Sequence, residues 1–220
     1  MATNSAGSST NLDQPPKAGL GKRIHAWMLA HLTAGYEQRV ADRKRTLFNG
    51  LHGDVLEIGP GTGPNIGFYP SGVHWIGIEP NPYMHRYLRE AARQAGLNIE
   101  IRNGTAERIE AGTASVDAVV STLVLCSVRN QAEVLQEILR VLKPGGRFVF
   151  IEHVAAPRGT RLRRFQDLIC PLWKRIGDGC HPNRETWISI EQAGFASVHY
   201  ERFRLPLGPV GTQMSGFAIK

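Results

Sequence analysis

Long apolar runs are missing from this chain of 220 residues. None approaches the ~18 uninterrupted apolar residues that a bilayer-spanning helix requires, so no transmembrane helix is expected. Cysteine is scarce as well: Cys126, Cys170 and Cys180 form an odd, scattered set of three without a Cys-x-x-Cys pair. That pattern excludes a disulfide framework, argues against a structural zinc site so that no metal is expected, and suits a reducing, cytoplasmic compartment. The Ser/Thr/Asn/Gln/Pro-rich stretch from Met1 to Pro16 lacks the charged and apolar regions of a signal peptide. It reads as a disordered polar tail over 1–17. Aromatics are few, at 8%, with no aromatic ladder and no appended binding module, which argues against a nucleic-acid partner despite a net charge of +7. No internal repeat is visible, and at 42% hydrophobic the chain suits one domain with a full core.

Glycine is abundant, at 24 residues, and it crowds one place. Val55-Leu56-Glu57-Ile58-Gly59-Pro60-Gly61-Thr62-Gly63 runs from an apolar segment through an acidic residue into three glycines at alternate positions. A short Val/Leu/Ile run reads as a buried parallel strand, and glycines let the backbone turn sharply and approach a ligand where a Cβ would collide. The spacing is Gly-x-Gly-x-Gly, not the Gly-x-Gly-x-x-Gly that packs a helix onto a pyrophosphate.

Val73-His74-Trp75-Ile76-Gly77-Ile78 reads as a second strand closed by Glu79. About 20 residues past the first glycine, an acidic group at that point can accept hydrogen bonds from both hydroxyls of a ribose. The plainer alternative is a carboxylate capping a helix that begins at Asn81. A third strand, Ile99-Glu100-Ile101, leads to Asn103-Gly104-Thr105-Ala106-Glu107, a corner where an adenine edge could meet backbone amides and the Glu107 carboxylate. Val116 to Ser121 reads as strand four and leads into Thr122-Leu123-Val124-Leu125-Cys126-Ser127. A helix then carries Val134, Leu135, Ile138, Leu139 and Leu142 on one face and is stopped by Lys143-Pro144-Gly145-Gly146. Phe148 to His153 follows as strand five.

Together, the glycine loop, Glu79, the Ala106-Glu107 corner and the Leu-Lys-Pro-Gly-Gly turn resemble the class I S-adenosylmethionine-dependent methyltransferases. The βαβα alternation implies an α/β, doubly wound, mostly parallel sheet with its ligand at the carboxyl ends of the strands. The resemblance adds that the sheet is seven-stranded and Rossmann-like, that its last strand, Met214 to Ile219, inserts antiparallel, and that N-terminal helices form a lid. The domain division expected is lid helices over 18–50 and the methyltransferase domain over 51–220. Strand four does not end in the Asn/Asp-Pro-Pro-aromatic string of many base and amide methylases; Ser121-Thr122-Leu123 stands there. A closer likeness lies in Glu79-Pro80-Asn81-Pro82, Thr122 to Val128, Glu152-His153-Val154-Ala155, Trp173 to Cys180 and Arg184-Glu185-Thr186-Trp187. These strings resemble the methyltransferase-like seven group, the alkyl-thiol S-methyltransferases, although the polar N-terminal stretch differs from the hydrophobic anchor of the animal members.

The resemblance implies S-adenosylmethionine as cofactor, with Tyr36, Glu57, Gly59, Gly61, Gly63, Glu79, Pro80, Asn81, Thr105, Ala106, Glu107, Thr122 and Leu123 as its contacts. It implies methylation of a small thiol or hydrosulfide, the alternative being a C-, O- or N-methyltransferase acting on a quinone, sterol or lipid headgroup. An inactive, cofactor-binding interaction protein is a further reading. Methyl transfer from a sulfonium needs alignment, a dry pocket and a lone pair rather than a triad. His181 is the first candidate for a base, with His153 second. Cys126 and Cys180 are expected to line the substrate pocket, Cys126 as a packing group. An arsenite-gripping role is disfavoured because no two cysteines are close in sequence. Finally, Leu20, Ile24, Trp27, Met28 and Leu32, and Leu162, Phe165, Leu168, Ile169, Leu172 and Trp173, lie near helical spacing among basic residues. They are expected to be lids whose apolar faces cover the cofactor pocket, in preference to helices lying on an anionic membrane. The oligomeric state is left open.

Overall fold

The computed structural model describes residues 19–220, and the polar tail expected over 1–17 lies outside the described residues. Seven strands, β1 (Asp54–Ile58), β2 (His74–Ile78), β3 (Ile99–Arg102), β4 (Val116–Thr122), β5 (Leu142–His153), β6 (Ser197–Arg204) and β7 (Thr212–Ile219), form one sheet in the order β3-β2-β1-β4-β5-β7-β6. β1 through β5 pair in parallel. β7 inserts antiparallel between β5 and β6, with Phe150 opposite Gly216 and Tyr200 opposite the same glycine. The doubly wound sheet with its antiparallel last strand is therefore present.

Alternation along the strands divides the core. Leu56, Ile58, Val119, Phe148 and Phe150 join Val134, Leu135 and Ile138 of α4 (Gln131–Val141) on one face. Val55, Trp75, Ala118, Val120 and Val149 meet Phe48, Ile66 and Leu88 on the other. Asn130 starts α4 by accepting from the backbone N–H groups of Ala132 at 3.0 Å and Glu133 at 3.4 Å. After Val141 the chain is extended, and the ladder jumps from Val116↔Leu142 to Ala118↔Arg147, so the Lys143–Gly146 turn becomes a bulge inside β5.

The helix expected from Asn81 begins later, as α3 (His85–Ala95). Pro82 disfavours helical backbone at Asn81, and the chain first makes a turn in which Asn81 Oδ1 accepts from Tyr83 N at 3.2 Å and Asn81 O from Met84 N at 2.9 Å.

The helices expected to form lids are held in different ways. α2 (Ala34–Phe48) buries Val40, Lys44 and Phe48 and belongs to the body. α1 (Leu20–Leu32) buries only Ala26, and α5 (Arg161–Ile176) only Gln166. Leu20, Ile24, Trp27, Met28 and Leu32 on α1 and Phe165, Leu168, Leu172 and Ile176 on α5 are 45–78% exposed. These stripes are thus largely uncovered by other parts of the chain. α1 meets the body through Ala26, which is buried, and through polar groups, its Lys22 carbonyl accepting from Asn81 Nδ2 at 3.1 Å and His25 lying 3.4 Å from Asp178. On α5, Gln166 bridges Ala156 N at 2.8 Å and Pro209 O at 2.7 Å. Periodicity locates a stripe on a helix but not the side from which the body approaches. Among the described residues no helix is long and apolar enough to cross a membrane.

Because Leu168 is 78% and Leu172 62% exposed, the double variant Leu168→Gln, Leu172→Gln should shift stability by no more than about 0.5 kcal/mol per site. Thermal unfolding measures this; a loss of several kcal/mol would show that these side chains are packed.

Candidate active site at the carboxyl edge of the sheet

β1 and β4 lie side by side, and the strand order runs outward from them in opposite directions. Open α/β sheets place ligands in the crevice outside the strand ends at such a switch point. The loop after β1 fills it, with Gly59, Gly61 and Gly63 at φ of 58°, 58° and 86°. Each of these left-handed positions favours glycine, yet their surroundings differ. A Cβ on Gly59 would lie 2.7 Å from Val124 Cγ2, and one on Gly63 2.9 Å from Leu88 Cδ1. Around Gly61 nothing lies within 4 Å, so its backbone borders open space.

Two carboxylates fix this loop. Glu57 is buried, and Asn65 Nδ2 donates to its Oε1 at 2.7 Å while Tyr69 Oη at 2.7 Å and Trp75 Nε1 at 3.2 Å donate to Oε2. Burial raises its pKa against those hydrogen bonds. Glu79, also buried, accepts from Gly61 N at 2.9 Å and Asn81 N at 2.7 Å. Glu79 therefore ties the glycine loop to the turn after β2, and desolvation lifts its carboxyl to about 7 against those two bonds. Pro80 and Asn81 stand on that turn. Ala106 is buried, Thr105 bridges to Arg108, and Glu107 Oε1 accepts from Arg129 N at 3.1 Å, which joins the corner after β3 to the loop after β4. Thr122 Oγ1 accepts from Asn65 Nδ2 at 3.0 Å.

Leu123 is in the left-handed region at φ 58°, a conformation that costs of order 1–3 kcal/mol and persists only where neighbours enforce it. Glu152 supplies much of that enforcement. Buried in β5, its Oε1 accepts from Ser121 Oγ at 2.6 Å and from Val124 N and Leu125 N at 3.1 Å each. Arg184 adds hydrogen bonds to the carbonyls of Leu125 at 2.9 Å and Val128 at 2.7 Å. Neither residue was among those expected at the site. Glu152 stands in the string Glu152-His153-Val154-Ala155, and nothing in a buried β5 glutamate's sequence context reveals which loop it serves.

The same exit turn brings Cys126 to a second cluster. Cys126 Sγ, His153 Nε2 and Cys180 Sγ, all on buried residues, lie within 4.8 Å of one another. His153 Nε2 is 2.9 Å from Cys180 Sγ, and Trp173 Nε1 donates to that sulfur at 3.1 Å. Cys180 arrives on a tight turn: Asp178 and Gly179 both have positive φ, Cys180 N donates to Gly177 O at 3.0 Å, and His181 N donates to Cys126 O at 2.9 Å. The Cys126 thiol, with His153 and Trp173, pulls the Cys180 thiol down to about 4 against the cost of its burial. The same partnership and burial push Cys126 up and keep it protonated. Distance in sequence concealed this pair, and the argument against neighbouring cysteines fails because the fold closes a gap the spacing leaves open. Cys170 is not part of the cluster.

Of the two histidines, it is His153 that reaches sulfur. His181 Nδ1 lies 3.3 Å from the Cys126 carbonyl, which can only accept, so Nδ1 carries the proton; burial and then the charges of Arg184 and Lys174 lower its pKa. Tyr36 donates to Gln213 Oε1 at 3.2 Å, and burial, with Glu37, Glu152 and Cys126 nearby, raises its pKa so that it stays a neutral donor.

A family profile described as a methyltransferase domain matches residues 56–150. Thiol S-methyltransferase TMT1B of Rattus norvegicus is 40% identical over 90% of this chain and 87% of its own length. Thiol S-methyltransferase TMT1A of Homo sapiens is 36% identical over the same shares. The chain belongs to this methyltransferase family. A SAM-dependent methyltransferase of Aquifex aeolicus superposes with a TM-score of 0.60 at 17% identity, covering 90% of this chain and 97% of that one, which supports the fold. The cofactor of this methyltransferase is S-adenosylmethionine. Its residues suit that molecule: Gly61 leaves room beside the backbone, and the Glu79 carboxylate is anchored at the crevice.

Replacing Glu152 of the methyltransferase with Ala strands three donors and should cost about 3 kcal/mol or more, lowering the melting temperature by roughly 6–12 °C. Glu152→Gln keeps an acceptor oxygen and should cost less than half as much. Equal losses in calorimetry would mean that the hydrogen bonds to the exit turn contribute little.

Proposed function

We propose that this enzyme methylates a small thiol or hydrosulfide acceptor, forming a thioether and S-adenosylhomocysteine. The observation that carries the reading is the cluster of Cys126, His153 and Cys180 where β4 and β5 end, supported by the names of the two relatives. When bound, the cofactor supplies an electrophilic methyl on a sulfonium whose charge is lost as the methyl leaves.

The protein's own residues meet the remaining demands. Gly61 leaves room beside the backbone for the adenosyl group, Gly59 and Gly63 let the loop pack against Val124 and Leu88 behind it, and Glu79 accepts from the ribose hydroxyls. Pro80, Asn81, Thr105, Ala106, Glu107, Thr122 and Leu123 enclose the adenosine, while Glu57 positions the loop through Asn65, Tyr69 and Trp75 and does not spend its carboxylate on the ligand. Tyr36, its hydroxyl held by Gln213, lies toward the methionine end. An acceptor thiol with an ordinary pKa of about 8.5 already offers several per cent thiolate near neutrality. His153 is the nearest proton-accepting side chain to the sulfurs, and His181 braces the turn that carries Cys180. Sulfur groups lining the pocket favour a soft, weakly hydrated acceptor over a hydroxyl. Three free cysteines suit a reducing, cytoplasmic setting.

Two measurements test this. Methanethiol, hydrosulfide and a quinol, offered separately while S-adenosylhomocysteine is quantified, should give turnover with the sulfur acceptors; turnover with the quinol alone would overturn the acceptor assignment. Cofactor binding should depend on pH through Glu79. With its folded pKa raised to about 7, Glu79 is protonated below that value, so stability from this group is full below its unfolded pKa and is lost as pH rises through 7. Ribose recognition needs the ionised form. Affinity should therefore weaken as pH falls below 7, by up to about tenfold per unit, and Glu79→Gln should bind about tenfold or more weaker with that slope abolished. A pH-independent wild-type affinity between about pH 5 and pH 8 would exclude this role.

A further inference from the structure

Cys126, His153 and Cys180 come from three separate segments: the turn leaving β4, the end of β5 and the turn after α5. Each is buried, and their ligand atoms converge within 4.8 Å. Two of the three arrive on strained backbone. Leu123 at φ 58° sets the turn carrying Cys126, and Asp178 at φ 48° with Gly179 at φ 87° sets the turn carrying Cys180. A Cβ on Gly179 would lie 3.1 Å from the Ser127 carbonyl, so the glycine lets the two turns close on each other. The first turn continues the β4–β5 pairing through Leu123 N and Ile151 O at 2.9 Å, and the second closes α5 through Gly179 N and Lys174 O at 2.9 Å. Together they bring two sulfurs and an imidazole nitrogen to one point, with His153 Nδ1 buried and without a hydrogen-bond partner among the described residues.

We propose that Cys126 Sγ, His153 Nε2 and Cys180 Sγ form a three-ligand site for a thiophilic d10 cation, zinc(II) being the test ion, with its fourth position open to the acceptor sulfur. With the Cys126 proton released to solvent as the cation binds, two thiolates and an imidazole make a soft set that selects zinc or copper(I) over magnesium or calcium. Three protein ligands with a vacant tetrahedral position are the pattern of reactive, not structural, zinc sites. Outer contacts are in place for at least one ligand, since the Trp173 indole N–H points at the Cys180 sulfur from 3.1 Å. The position of the cluster matters too. Val124, two residues before Cys126, packs against Gly59, where an added Cβ would come within 2.7 Å, so the turn that carries one ligand also touches the cofactor loop.

The open position rests on the sulfur-acceptor reading; the ion site itself does not. An acceptor entering as RSH would place its sulfur on the cation in exchange for water and release its proton to solvent, leaving a bound thiolate with a lone pair for the displacement. Coordination would thus supply the deprotonation that no single side chain here is placed to supply alone.

The test uses the full-length protein, reduced and stripped of metal. Zinc(II) titrated against a chromogenic chelator should bind at one equivalent with a dissociation constant of about 1 µM or tighter. Cobalt(II) in its place should show intense tetrahedral visible bands and a sulfur-to-metal charge-transfer band. Cys126→Ser, Cys180→Ser and His153→Asn should each weaken zinc by about 100-fold or more, whereas Cys170→Ser should not alter binding. Zinc should also raise the melting temperature of the wild type but not of Cys180→Ser, a comparison that holds even if a variant is less stable. Failure of the wild type to bind, or binding unchanged in all three ligand variants, overturns the site. So does rapid formation of a Cys126–Cys180 disulfide by oxidised glutathione that zinc does not slow. Adding methanethiol to the cobalt form should shift the charge-transfer band; no shift, with the site intact, overturns the open position alone. Turnover of sulfur acceptors by a protein that binds no zinc would leave the methyltransfer reading standing and remove this one.

Discussion

Glu57, Glu79 and Glu152 are buried at or beside the ends of β1, β2 and β5, and a buried carboxylate is tolerable only where donors meet it. Most of the donors come from outside the strands, Trp75 of β2 and Ser121 of β4 excepted. Glu57 is met by Asn65, Tyr69 and Trp75, Glu79 by the backbone of Gly61 and Asn81, and Glu152 by Ser121, Val124 and Leu125. Each carboxylate consequently fixes a different stretch of irregular backbone against a rigid strand. Loops that would otherwise sample many conformations become a preformed edge, which is what a reaction limited by alignment requires. Burial raises the pKa of all three, so the arrangement is costly to ionise and is held by geometry as much as by charge.

The sheet and the glycine loop at its edge were legible in the sequence because their signals are local. A Val/Leu/Ile run followed by alternating glycines specifies strand, sharp turn and open backbone within a few residues, and Gly59, Gly61 and Gly63 all adopt positive φ. Glu79 was readable for the same reason, being set by its distance from that loop, although the structure gives it two backbone partners the sequence did not announce. Glu152 and Arg184 were not readable. Their partners lie 27 to 31 and 56 to 59 residues away in the chain, and no periodicity records a contact made only by the fold. The cysteines show the same limit more sharply, since Cys126 and Cys180 look unrelated in sequence while their turns are hydrogen-bonded through Cys126 O and His181 N.

The helical stripes on α1 and α5 were legible, but not what covers them. Amphipathic spacing is a statement about one helix, whereas burial depends on what else approaches it. α1 is held by Ala26, a backbone carbonyl and a histidine, and α5 by Gln166 and the Trp173 indole. Those contacts lie beside the apolar stripes, much of whose surface the rest of the chain leaves uncovered.

α1 and the Cys180 turn also join the two halves of the site. Asp178, on that turn, lies 3.4 Å from His25 of α1 and is close enough to raise the pKa of Glu79. Asn81, whose backbone N–H serves Glu79, holds α1 through the Lys22 carbonyl. The carboxylate that meets the glycine loop and the turn that carries Cys180 are therefore both tied to α1 by short polar contacts, so α1 holds the two ends of the crevice edge in one frame.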